Sequence, residues 1–455
     1  MNRDQFSRAL RHGRGSAMQY VQQHGLSEVA EDVLAACLQN QAYDPQCEDS
    51  RAPWLFRMFR ETPEYPRFAA AICAALATEQ ESCHDLSQLI QLVSVMAQAG
   101  DQVAADALRA RFSPQVIQPD DEAWSDADAL VALDGVPAVL ALARHMGPLL
   151  AEHDWRLPSL DTLCDGLPIL DDAESALRRL AVKDEGLRRY LAFTDAERER
   201  FRLQQDVLPE QRQQALHVRA RQELTLQGIL AAASRMEGEF PGRYMSFGRC
   251  ATLDELHSVL QCLETEARDE VCLRLLWVFR RTPLPVLTPK VWACARSAPG
   301  QLRDAALTAL GQTRHADIGS FAREALRGCQ IATHDEPLLE LFIRNYVSGD
   351  AALIHSELPL QLEDDDCVHA IGYSLLNICE NNAAVSGEFQ PLLVWIYAHT
   401  PCTDCRGKAV RLMKEYRCLP SGIAAECSED ADEGTREYGR QVLKEIVENA
   451  LEWMA

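Results

Sequence analysis

Apolar residues recur along most of this chain at three- and four-residue steps. Leu302, Ala305, Ala306, Ala309 and Leu310 form one such row, Leu224, Ile229 and Leu230 another, and Val442, Leu443, Ile446 and Leu451 a third near the end. That spacing lays side chains along one stripe of a helix. Alternating runs of Val, Ile, Thr and aromatic residues between turn residues, the mark of strands, are scarce. The pattern predicts an all-α protein whose short, punctuated helices suit stacked pairs better than a single bundle.

A phrase returns three times. Met58-Phe59-Arg60-Glu61-Thr62-Pro63, Val278-Phe279-Arg280-Arg281-Thr282-Pro283 and Ile396-Tyr397-Ala398-His399-Thr400-Pro401 each carry an aliphatic residue, an aromatic, two spacers and Thr-Pro. Such a phrase reads as an apolar face that ends, a Thr that caps the next helix through its hydroxyl, and a Pro in the first helical position, where no N–H is needed. A recurring helix–turn–helix junction is what a repeat of roughly 40 residues leaves in a sequence.

Leu302-Arg303-Asp304-Ala305-Ala306-Leu307-Thr308-Ala309-Leu310-Gly311 resembles the second helix of a HEAT repeat, with weaker versions at Cys405-Arg406…Ala409…Leu412-Met413 and Thr435-Arg436…Val442-Leu443. The resemblance to bacterial HEAT-like repeat proteins covers about 254–455. It is thin in the N-terminal half, where VAADALRARF (103–112) is the best trace. It implies an α-solenoid of HEAT-like antiparallel helix pairs. The expected organisation is 1–190 as weakly HEAT-like repeats, 191–250 as a charged helical connector, and 251–455 as the clearer repeats. Thr194-Asp195-Ala196-Glu197 has capping-box spacing and is expected to open the connector. SPQVIQPDDEAWSDAD (113–128) reads as a long exposed connection, GEFPGRYMSFGRC (238–250) as a break before the best repeats, and SEDADEG (428–434) as a solvated loop.

Composition changes little in this picture, but charge does. Of 455 residues, 47% are hydrophobic and 25% charged, ordinary for a folded protein. Against 45 Lys+Arg stand 68 Asp+Glu, a net charge of −23, which repels nucleic-acid backbone and anionic membrane at long range. No secretory signal opens the sequence, and runs such as AAAICAALA (69–77) fall short of the roughly 18 residues that span a bilayer. A cytoplasmic protein with no membrane association is expected, so its 16 cysteines would be mostly reduced thiols.

The densest candidate chemistry lies in WIYAHTPCTDCRGKAVRLMKEYRC (395–418), where Cys402 and Cys405 are spaced C-x-x-C. With Pro401 first in a helix, both thiols fall in its opening turns and share a face. As half of a zinc site the pair needs two more ligands, for which His399, Cys418 and Cys427 are candidates. A helix of about a dozen residues, however, carries Cys418 roughly 18 Å from Cys405. As a redox pair the thiols would profit from the helix N-terminus, but a thioredoxin-like motif follows a strand, and this context is helical. As packing, the repeats place leucine where Cys405 stands: Leu287 when the Thr-Pro phrases are aligned, Leu302 when the HEAT phrases are. Buried packing is the favoured reading, and no metal or other cofactor is called.

The remaining constellations are weaker. Asp364-Asp365-Asp366-Cys367-Val368-His369 mixes hard and soft ligands and is better explained as a loop that starts a helix. No phosphate-binding loop, G-x-S-x-G elbow or H-E-x-x-H helix is present, so no catalytic residue is assigned. Arg3, Arg8, Arg11 and Arg14, and Arg198, Arg200, Arg202, Arg212, Arg219 and Arg221, form two basic groups. The second is interleaved with Glu and Gln, as on a solvated helix. Trp54, Trp277 and Trp395 suit helix–helix packing, whereas Trp124, in its acidic stretch, is expected to be exposed and to anchor an interface.

These features together point to a non-enzymatic scaffold, adaptor or inhibitor that recognises a protein, with a basic one expected, on a solenoid surface. The alternative implied by the HEAT resemblance is a nucleic-acid-binding protein, with or without DNA base-removal activity. The charge balance makes nucleic acid the less favoured partner.

Overall fold

The computed structural model describes residues 1–78, 82–117, 122–153, 157–205, 221, 223–238, 240–329, 331, 335–359 and 364–454. Among the described residues every regular element is helical and there is no strand. None of these helices is long and apolar enough to cross a membrane. The chain divides into two compact units, Met1–Val207 with Gly422–Ala455, and Leu208–Ser421.

The first unit is built on a continuous apolar core that includes Phe6, Met18, Trp54, Phe59, Leu89 and Tyr190, and Ala431 from the end of the chain belongs to it. The final helices therefore pack in this unit rather than extending the C-terminal repeats, which corrects the expected 251–455 domain. Trp54 donates through Nε1 to the Glu429 carbonyl at 2.8 Å, and Arg57 pairs with the Glu429 carboxylate. Arg14 holds Glu426 at 3.0 Å. A methyl group on Gly15 would lie 1.8 Å from the Glu426 carbonyl oxygen, so only glycine permits this backbone approach. The SEDADEG stretch is correspondingly a packed turn, with Asp430 and Ala431 buried and Arg436 donating to both of their carbonyls.

The expected boundary at 190/191 also falls inside an element. One helix runs Glu185–Gln205, so Thr194 caps nothing. Leu187 and Tyr190 carry the apolar stripe into it, and the buried Thr194 hydroxyl accepts the Leu160 N–H at 3.3 Å instead. Much of the expected connector, 206–220, lies outside the described residues. Its end is helical: Gly242–Cys250 buries Tyr244 and Phe247.

In the second unit the principal contacts join helices near one another in sequence. Asp269–Trp277 and Pro289–Ala295 both pack on Gln301–Gly311, and Ala316–Leu326 packs on Phe342–Asn345 and Asp350–Glu357. Asp365–Asn381 packs on Gln390–His399 and Thr403–Glu415, which also pack on each other. Local chemistry sets the starts: Thr252 and Glu255 form a reciprocal capping box, and Thr288 caps a helix with Pro289 in its first turn.

The recurring Thr-Pro phrase has a different role from the one expected. Thr62 and Thr400 return their N–H to the helix just ended, on Phe59 and Ile396, and Thr282 returns its N–H to Phe279 in the turn after Asp269–Trp277. None of the three caps the helix that follows. The ring of a proline disfavours helical geometry at the residue before it, which fits the end of Gln390–His399, whereas Ala52–Phe59 and Asp269–Trp277 have already ended before their Thr-Pro. Thr400 shows this directly, leaving the helix at φ −61°, ψ 133°.

Candidate metal centre

The three helices at the end of the second unit bring together groups that are far apart in sequence. Asp364 opens the helix Asp365–Asn381 by accepting the N–H groups of Asp366 and Cys367, as the loop-then-helix reading of that acidic run has it. The helix buries Val368, Ile371, Gly372 and Leu375, and His369 stands beside that stripe, half-buried. Opposite, Gln390–His399 ends at Thr400, which is 1% exposed. A methyl group on Gly372 would sit 3.9 Å from the Thr400 hydroxyl, so the junction lies close against the helix that carries His369.

After Pro401 the chain turns at once into the helix Thr403–Glu415. Its N-cap is Cys402, whose Sγ accepts the Cys405 N–H at 3.5 Å. The C-x-x-C pair thus occupies the N-cap and N3 positions, the same register that brings two side chains together in a capping box. Both thiols are buried, at 5% and 3% exposure. One ring nitrogen of His369 and the sulfurs of Cys402 and Cys405 all lie within 4.8 Å of one another.

Two influences act on the thiols. Their hydrogen bond, and then burial, hold Cys405 far above the ordinary thiol range. Against this, the exposed N–H groups of a helix N-terminus favour negative charge. Lys408 pairs with Asp404 at 3.1 Å; that hydrogen bond raises its pKa, and the charge of the two cysteines adds to the effect. The site therefore offers one imidazole and two buried sulfurs whose thiolate forms need the charge of a cation beside them.

The other ligands considered from sequence are placed elsewhere. His399 stacks on Trp395 at 4.7 Å and its Nδ1 lies 2.8 Å from the Trp395 carbonyl. The Cys418 carbonyl accepts from Gln390, and Cys427 is buried in the first unit. His369, read as part of an acidic helix start, is the group that sequence reasoning did not join to the pair. The signal available was its position next to a buried stripe; its partner helix was not readable from spacing.

Trp124 is not exposed. It is 1% accessible in the first unit and stacks on His145 at 5.6 Å. Its acidic neighbour Asp126 is buried with it and accepts hydrogen bonds from Ser87 and Gln91; residues 118–121 of the expected exposed connection lie outside the described residues. As an interface anchor Trp124 is withdrawn.

Several arginines of the two basic groups are engaged by carboxylates. Arg3 pairs with Asp32, Arg198 with Asp161 and Glu174, Arg200 with Glu197, Arg202 with Glu199, and Arg221 with Glu255. Arg212 and Arg219 lie outside the described residues. Comparison of the chain with family models, with curated proteins and with solved structures finds no match.

Proposed function

We propose that the protein is a non-enzymatic, HEAT-like α-solenoid that acts in the cytoplasm as a scaffold, adaptor or inhibitor for a basic protein. The observation that carries this reading is the packing of the second unit, where helix after helix rests on near neighbours in sequence. Stability in such an array is close to a sum of neighbour terms, and the surface it leaves is long and continuous, suited to a protein partner. The charge of −23 selects for basic surface on that partner. Pairing of Arg198, Arg200 and Arg221 with carboxylates counts against the second reading, a nucleic-acid groove, which needs uncommitted basic side chains gathered on one face.

Affinity capture from native lysate, with and without nuclease, tests the proposal. The expected result is a stoichiometric basic protein that survives nuclease and elutes with rising salt. Recovery of nucleic acid, or of proteins that vanish after nuclease, would overturn it in favour of the nucleic-acid reading.

A further inference from the structure

We propose that His369, Cys402 and Cys405 bind one zinc ion, which ties the helix Asp365–Asn381 to the first turn of Thr403–Glu415. The ligand set is one that borderline-soft metals select: an imidazole with two thiolates suits zinc, while carboxylate and carbonyl sites suit magnesium or calcium. The spacing is also right. In a tetrahedral zinc site with Zn–S near 2.3 Å, two sulfurs sit about 3.8 Å apart. The three donor atoms already lie within 4.8 Å of one another, so closing on an ion asks for side-chain rotation rather than a new backbone path.

Packing alone does not explain the arrangement. At the sister junction the same phrase is followed by Leu284, a side chain with no donor atom, buried at 4%. Here two buried sulfurs meet a histidine that comes from a different helix. The backbone is built around the pair, since Cys402 serves as the helix N-cap and places its sulfur over the N–H of Cys405. Binding releases the two thiol protons to solvent and leaves the imidazole neutral, its lone pair on the metal. Three protein donors leave one tetrahedral position for water, and half-buried His369 marks the side where the ion meets solvent.

The full-length protein, purified under reducing conditions and stripped with chelator, is titrated with zinc against a chromophoric competitor, and separately with cobalt(II). The wild type is expected to take up one zinc per chain. Its cobalt form is expected to show a thiolate charge-transfer band and the intense visible bands of tetrahedral geometry. Cys402→Ser keeps a strong N-cap and Cys405→Ala removes a buried sulfur, so both remain foldable, with circular dichroism as the check. Each of these, and His369→Gln, is expected to weaken zinc by at least about 100-fold, the upper end of what outer-shell changes cost. Cys418→Ser is expected to change nothing. No zinc uptake by the wild type would overturn the proposal. So would an octahedral cobalt spectrum without the sulfur band, affinity unmoved in the ligand variants, or a Cys402–Cys405 disulfide in the reduced preparation.

Discussion

Two junctions of the second unit begin alike and end differently. Val278-Phe279-Arg280-Arg281-Thr282-Pro283 follows the end of Asp269–Trp277, and Ile396-Tyr397-Ala398-His399-Thr400-Pro401 contains the end of Gln390–His399. After the first, Leu284 sinks into the core and its N–H donates to the Thr313 hydroxyl at 2.9 Å. The next helix waits until Thr288 caps it. After the second, the chain turns into a helix immediately and Cys402 is its cap. The shared phrase accompanies a helix end in both. The residues after it decide whether the junction is an apolar plug or a cluster of metal-binding donors.

Zinc should separate the two junctions most strongly. With free zinc a thousand-fold above its dissociation constant, binding stabilises the occupied state by about 4 kcal/mol. Hydrogen exchange is expected to slow by that margin in Thr403–Glu415 and in Asp365–Asn381, and to be unchanged in Pro289–Ala295. Equal slowing at both junctions would erase the distinction.

Leu284→Ala comes next. It removes a buried side chain from the apolar junction and is expected to cost about 3 kcal/mol, read by urea denaturation, with the same loss in zinc and in chelator. A zinc-dependent loss would mean the junctions are coupled. The smallest effect concerns the caps. Thr288→Ala should cost about 1 kcal/mol, whereas Cys402→Ser in chelator should cost nothing or stabilise slightly, because a hydroxyl caps better than a thiol. Local exchange at the first turn of each helix checks both.

Sequence and structure agree where the determining forces are local. Helical periodicity and the helix start at Asp364 are short-range and readable. The Thr-Pro phrase suggests the capping power of threonine, whereas at Thr400 the steric effect of proline on the preceding residue prevails. What was hidden depends on tertiary packing. Thr194 has capping spacing, yet the apolar stripe through Leu187 and Tyr190 carries the helix past it. Trp124 lies among acids, but Ser87 and Gln91 satisfy Asp126 and let the ring go inward. His369 and the C-x-x-C pair meet only because Asp365–Asn381 packs on Thr403–Glu415, a contact between elements with another helix between them.

The most direct measurement is zinc K-edge X-ray absorption on the zinc-loaded full-length protein. The expected first shell holds two sulfurs at about 2.3 Å and two nitrogen or oxygen atoms at about 2.0 Å. A shell of nitrogen and oxygen alone, or one of four sulfurs, would contradict a centre made by His369, Cys402 and Cys405.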